Sequence, residues 1–239
     1  MSYMPTEDTL ELGAVVRRFL EKHSPEDSVR RWMSEDSSYD PDVWRLAATE
    51  LGLHGLCVTE ELGGSGAGYC ELGAVFQELG RSLYGAPMLA SVGLATSALL
   101  HCADDSSKSQ ILPRLVTGES VATVGWSGRD PLQSSITATV TDEHTATLSG
   151  RADYVLAGPH ADILLVIATA TDGPKIYIVE DTARLQWSEF IPLDQTRKLA
   201  HTDLTGVRAR RLPITAEALE RTVDIWTLLL AAEQLGGAS

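Results

Sequence analysis

Ser127 is the residue whose surroundings most nearly resemble a catalytic motif. Gly125-Trp126-Ser127-Gly128-Arg129 stops one glycine short of GxSxG, the pattern that raises a nucleophilic serine on a strand-to-helix turn. Here the context runs from strand to loop, so no nucleophile is expected. The glycine-rich run Gly63-Gly64-Ser65-Gly66-Ala67-Gly68 lacks GxGxxG spacing and follows no strand. It reads as a flexible turn between helices, not a nucleotide cradle. No Gly-Lys pair occurs anywhere, which removes the Walker A loop. His23, His54, His101, His144, His160 and His201 are scattered without metal-ligand spacing and read as surface or loop residues. No metal site is expected.

Composition narrows the partners. Nineteen basic against 33 acidic residues leave a net charge of −14, which argues against nucleic acid or an anionic membrane. Cys57, Cys70 and Cys102 are odd in number and lack CxxC spacing. They read as reduced, buried thiols of a cytoplasmic protein. No apolar run is long enough to span a membrane. The opening MSYMPTEDTLE has neither a signal core nor an Arg-rich transit pattern.

The elements change character along the chain. Up to residue 117 the pattern is helical. Asp8 with Glu11 forms a capping box for a helix bearing Leu12, Val15, Val16, Phe19 and Leu20. Ser24 to Asp40 is a polar excursion. Asp40 and Pro41 start a second helix that Gly52 ends. A third carries Leu72, Val75, Phe76, Leu79 and Leu83, and an Ala-rich one follows from Leu89 to Leu100. Ser107 to Val116 is short and amphipathic, with Pro113 as a kink point.

From residue 118 seven β-branched-rich segments follow: Val121–Trp126, Ser135–Thr141, Thr145–Leu148, Ile163–Ala168, Lys175–Val179, Leu185–Phe190 and Lys198–Leu204. No helices alternate with them, which predicts an antiparallel β-barrel or sandwich. Thr215 to Gly236 returns to helix, apolar on nearly all sides in its second half. Such a helix needs packing partners, so the chain reads as part of a larger protein or as a subunit completed by another. The fold class expected is α+β: an all-α domain over 1–117, a middle β domain over 118–211, and at 212–239 the first helix of an incomplete C-terminal helical bundle.

One stretch is far more specific. Glu50-Leu51-Gly52-Leu53-His54-Gly55-Leu56-Cys57-Val58-Thr59-Glu60-Glu61-Leu62-Gly63-Gly64-Ser65-Gly66, then Gln77-Glu78-Leu79-Gly80-Arg81, resembles the acyl-CoA dehydrogenase pattern ELGLxGLxxPEExGGxG…EELGR. The order of elements is similar too. The resemblance implies FAD between the β domain and a helical bundle, acyl-CoA beside it, and a glutamate that takes the α-proton while hydride passes to the flavin. Such a reaction requires base, carbon pair and flavin to be stacked.

The residues that the resemblance points to depart from the family pattern. The loop LTEPxxGSD matches Trp126-Ser127-Gly128-Arg129-Asp130-Pro131-Leu132-Gln133-Ser134. Trp126, Ser127 and Ser134 are implied cofactor contacts, with Gln133 and Ser135 on the substrate side. The alternative is a loop that no longer holds flavin alone. The strand LNGxKxWIT matches Leu148 to Leu156: Tyr154 keeps an aromatic face for the flavin, whereas Leu156 replaces a hydroxyl and cannot donate. Arg197, in Asp194-Gln195-Thr196-Arg197, reads either as a charge in a structural pair or as help for a ligand.

The base is the largest departure. One family position for it lies beyond residue 239. The other falls on Trp226, and indole cannot take a proton. Glu233 and Asp224 are unpersuasive substitutes, so no catalytic residue is assigned. The function expected is a subunit or piece of an acyl-CoA dehydrogenase-like flavoprotein, inactive by itself. It would join a homo- or hetero-oligomer with a similar chain through exposed Trp226, Leu229 and Leu230. The alternative is a non-catalytic acyl-CoA- or partner-binding scaffold without flavin.

Overall fold

The computed structural model describes residues 6–35 and 39–239. Its helical part begins with α1, Glu7–His23, capped by the Thr6 hydroxyl accepting from the Thr9 N–H. The Asp8 box is not formed. Asp8 already lies in the first turn, where its charge complements the helix dipole. The expected polar excursion contains a helix, α2, Glu26–Met33, because Val29 and Trp32 fall one turn apart on a buried face. α3, Pro41–Thr49, is capped by Asp40 as expected, and Gly52 follows it at φ +63°.

The glycine-rich turn is not a loose tether. Ser65, Gly66 and Ala67 N–H groups donate to the carbonyls of Gly55, Val58 and Leu56 at 2.8–3.0 Å. A Cβ on Gly64 would lie 2.1 Å from the Val58 oxygen. Glycine is required there because two backbones touch.

α4, Tyr69–Arg81, carries the core residues Leu72, Val75, Phe76 and Leu79. Arg17 clamps it to α1 with two 2.8 Å bonds to Glu78. The Ala-rich segment is not an α-helix throughout. Met88–Thr96 is π-helical and fully buried, and only Ser97–Cys102 (α5) is α-helical. The Ser97 hydroxyl donates back to the Gly93 and Leu94 carbonyls, 2.5 and 3.0 Å away. α6, Asp105–Val116, tolerates Pro113 near its end.

The strands are β1 Ala122–Gly125, β2 Thr137–Val140, β3 Thr145–Ser149, β4 Arg151–Leu156, β5 Ile163–Ala170, β6 Gly173–Val179, β7 Trp187–Glu189, β8 Leu199–Asp203 and β9 Val207–Arg211. β1-β5-β2-β3-β9-β6 form one sheet, closed by an added β5–β6 pairing, and β4-β8-β7 form a second. Most pairings are antiparallel. β5 adds parallel ones to β1 and to β2, both of which reach it through long connections. β4 and β9 lie outside the seven expected segments. In β9 only Ala209 is buried among four partly or fully exposed neighbours, so arginines mask the alternation. Ile136, Leu148, Val155, Leu164, Val166 and Tyr177 fill the space between the strands.

α7, Ala216–Gly237, packs on α4 at backbone distance. A Cβ on Gly80 would lie 1.9 Å from the Glu233 oxygen, and one on Gly236 would lie 1.8 Å from the Gln77 oxygen. α7 is therefore not bare on all sides. Trp226 and Leu229, expected at a joining surface, are buried inside the protein, while Leu228, Leu230 and Leu235 are exposed. The thiols also divide: Cys102 is buried, Cys57 half-buried and Cys70 exposed, all free.

Candidate functional site

The loop after β1 has a built interior. The last residue of β1 is glycine because a Cβ at Gly125 would press on Ala152 and Val155 at 3.0–3.2 Å. Trp126 then bridges to β4, its carbonyl accepting from the Asp153 N–H at 2.8 Å. Ser127 donates through its N–H to the Ser134 hydroxyl at 3.1 Å and through its own hydroxyl to Asp153 at 3.3 Å. The Ser135 hydroxyl donates to Ser127 at 2.9 Å. Arg151 anchors the other Asp153 oxygen at 2.7 Å. Gln133 donates to Asp130 at 2.7 Å, and Asp130 also caps the short turn Pro131–Gln133.

The structure thus brings together Ser127, Ser134 and Ser135. Asp153 and Arg151, which sequence reasoning did not single out, complete the group. A carboxylate two residues from an arginine on one strand face is the signal that was present.

Trp126 leads to a second feature. Its ring stacks on Trp226 of α7, centroids 6.0 Å apart and planes 16° from parallel. The Trp226 N–H reaches both the Leu94 carbonyl and the Ser97 hydroxyl at 3.0 Å. The π-helical segment presents the Leu94 carbonyl and the first residue of α5 the Ser97 hydroxyl, and Trp226 is 5% exposed. Tyr154 stands apart from the serine cluster. It holds φ +53° at a β-bulge, is 65% exposed, and stacks on Phe190 at 5.3 Å. His201 packs on the other ring at 5.1 Å. Neither Phe190 nor His201 was a sequence candidate.

Between α7, α4 and β4 lies a cleft of about 310 Å³ whose lining includes Leu83, Leu89, Leu156 and Leu230. Arg197 crosses it to the buried Glu233 at 2.7 Å and lies 3.7 Å from Asp194. Of the two readings left open, Arg197 is in a structural ion pair. Asp224 is exposed on α7. His54, expected at the surface, is buried against Trp44 with ring centroids 3.8 Å apart. Burial pushes it down to about 3, the Leu115 carbonyl offsetting this in part. Among the described residues no three His, Cys, Asp or Glu side chains group to hold a metal. No described helix is long and apolar enough to cross a membrane.

These groups do not fit a flavin ring held by this chain by itself. The hydroxyl protons of Ser127 and Ser135 are already donated, the Trp226 N–H is engaged, and Leu156 offers no donor. Tyr154 keeps an exposed aromatic face.

Comparison with known proteins gives this arrangement a context. Residues 6–119 match the family model described as acyl-CoA dehydrogenase, N-terminal domain. The acyl-CoA dehydrogenase IpdE2 of Mycobacterium tuberculosis is 31% identical over 98% of this chain and 61% of its own length. The ChsE4-ChsE5 complex from M. tuberculosis superposes with a TM-score of 0.87 at 26% identity, covering 99% of this chain and 65% of that one. A Tcur3481-Tcur3483 steroid ACAD variant gives 0.86 at 29% identity, covering 96% of this chain and 63% of that one. The chain spans 60–61% of the length of the two IpdE2 relatives.

Proposed function

The chain belongs to the acyl-CoA dehydrogenase family, and from that premise we propose that it is one subunit of a flavoprotein assembly that dehydrogenates an acyl-CoA thioester. A similar chain would supply the catalytic base and most of the FAD contacts. When bound, FAD supplies the acceptor for the hydride. The observation that carries this reading is the fate of the carboxylates on α7. The position where some branches place their base holds Trp226, locked by two hydrogen bonds. Glu233, two turns on, is buried and bonded to Arg197 at 2.7 Å. A base must hold an available lone pair within reach of the proton it removes: the indole nitrogen has none, and Glu233 is buried and held in an ion pair two turns away.

The residues of this chain would serve as wall and support. Ser127, Ser134, Ser135 and Asp153 fix the loop after β1. Tyr154 offers an open ring to a flavin held from the other side, with Trp126 behind the loop and Gln133 and Ser135 toward the thioester. Two-chain composition is in the name of the ChsE4-ChsE5 complex, which supports a heteromeric reading here. Cytoplasmic residence fits a thioester substrate.

Co-expression with an acyl-CoA dehydrogenase-like chain tests this. The expected outcome is a stable complex, yellow and active on a thioester, from two chains that are separately inactive. A monomeric, yellow preparation of this chain that oxidises a thioester unaided would overturn it. A second reading, a scaffold without flavin, is favoured by the closed serine network and by Leu156. It predicts a complex that stays colourless.

A further inference from the structure

We propose that the cleft between the start of α6, the β2–β3 turn and the end of β9 binds a small apolar zwitterion, of the kind a free aliphatic amino acid is. At about 530 Å³ it is larger than the cleft beside α7 and shares none of its lining. Its volume falls in the range of small-molecule sites. Arg210 and Arg211 line it from β9. Both are held before any guest arrives. Arg210 donates to the Ser107 hydroxyl at 2.6 Å and to Glu180 at 3.2 Å, and Arg211 donates to Asp172. A guanidinium has five N–H donors, so each keeps some for a carboxylate in a fixed orientation. Glu143 lines the cleft from the turn. The turn is pinned, because the His144 N–H donates to Asp142 at 2.9 Å and its carbonyl accepts from the Arg211 N–H at 2.8 Å. The Glu143 carboxylate has no hydrogen bond or ion pair with any described residue, which leaves it for an ammonium group. Val140, 41% exposed, and buried Leu212 supply apolar surface. Charge then selects the class. Asp104 and Glu143 line the cleft, and Glu180 and Asp172 already face the arginines. A bare carboxylate is drawn by the guanidinium groups but repelled by these acids and by a net charge of −14. An amine without a carboxylate meets the arginines. A molecule with both charges and no net charge escapes both penalties. The cleft also lies where three parts meet: α6 through Ser107, β9 through Arg210, and the connector from Leu212 to the Thr215 cap of α7. A bound guest braces all three, so binding adds thermal stability. The site needs neither flavin nor thioester, so its failure leaves the functional reading standing.

The test uses the full chain and three probes of one carbon skeleton: L-leucine, 4-methylpentanoate, which lacks the ammonium group, and 3-methylbutylamine, which lacks the carboxylate. At about 10 mM, leucine is expected to raise the melting midpoint by about 3 °C, as a Kd of about 1 mM requires. In calorimetry each analogue is expected to bind at least about fivefold more weakly. Glu143→Gln should weaken leucine about fivefold and bind 4-methylpentanoate no worse than wild type does. Arg211→Gln should weaken leucine and 4-methylpentanoate alike, by about fivefold or more. If Arg211→Gln does not fold, Val140→Trp, which fills the cleft from an exposed position, is judged by its loss of leucine binding. Either analogue binding wild type as tightly as leucine would overturn the zwitterion. No shift with leucine, or leucine binding that Glu143→Gln and the second variant leave unchanged, would refute the site.

Discussion

Where α4 meets α7, backbone touches backbone, and shape does all the holding. Gly80 and Gly236 each leave room for a carbonyl of the facing helix. Where β1 gives way to its loop, contact is made by side chains: Ser127, Ser134, Ser135 and Asp153 answer one another. The first region keeps the family pattern at Glu78 to Arg81, and the second departs from LTEPxxGSD at several positions. The difference has a physical origin. A helix pair packed through glycines has no alternative residue to use, since any Cβ separates the backbones. A polar loop whose groups satisfy each other holds its shape without a ligand, so its sequence can move away from the flavin-binding pattern while the fold persists.

The sharpest way to break this contrast is to add one methyl group in each region. Gly236→Ala puts a Cβ 1.8 Å from the Gln77 oxygen, so the helices have to part. We expect a loss of about 3 kcal/mol or more in urea denaturation. Gly128→Ala in the loop meets nothing within 4 Å and suffers only from its φ of +82°, a cost of about 1 kcal/mol. Equal losses would show that the two regions are held in the same way.

Much of the helical part was legible because its signals are local. Asp40-Pro41 and Gly52 act through their own backbone geometry, and the structure bears them out. The turn at Gly63 to Gly68 misled because glycine reads alike whether it is loose or crowded, and only the close approach of the Val58 and Gly55 carbonyls to Gly64 tells the two apart. Trp226 misled for a related reason. A helix apolar on most sides does not say which face is covered, and its cover, Leu94 and Ser97, lies about 130 residues back in sequence. The site was legible in its parts but not in its pairing. Ser127 and Ser134 were candidates, yet the Asp153 carboxylate that binds Ser127 follows from a bridge no local pattern predicts.

A smaller effect separates the regions by pH. His54 packs within the helical part on Trp44, and burial holds its pKa at about 3 against an ordinary 6.5. The folded state therefore refuses a proton that the unfolded chain accepts. Above pH 6.5 this costs nothing. As pH falls from 6.5 toward 3, stability is lost at up to about 1.4 kcal/mol per pH unit. His54→Phe keeps a ring on Trp44 and removes the titration. The gap between variant and wild-type urea midpoints should shift in favour of the variant as the pH is lowered from 7 to 5. Parallel curves would mean that His54 takes up its proton without unfolding the helical part.

The smallest expected change in stability is at Tyr154, where the contrast is sharpened most. A non-glycine residue at φ +53° carries about 1 kcal/mol of strain or more, and such strain gathers at functional positions. Asparagine tolerates the left-handed region, so Tyr154→Asn relieves the strain. It also removes the stack on Phe190, worth about 0.5–1.5 kcal/mol. The two terms oppose, and the isolated chain should keep its stability to within about 1 kcal/mol. In the co-expressed complex the outcome should differ, because an exposed ring face is what Tyr154 would offer a flavin. Flavin retention is expected to drop while the complex stays assembled. A destabilised isolated chain with unchanged flavin would make Tyr154 a packing residue, and the loop would then be as purely structural as the helix pair.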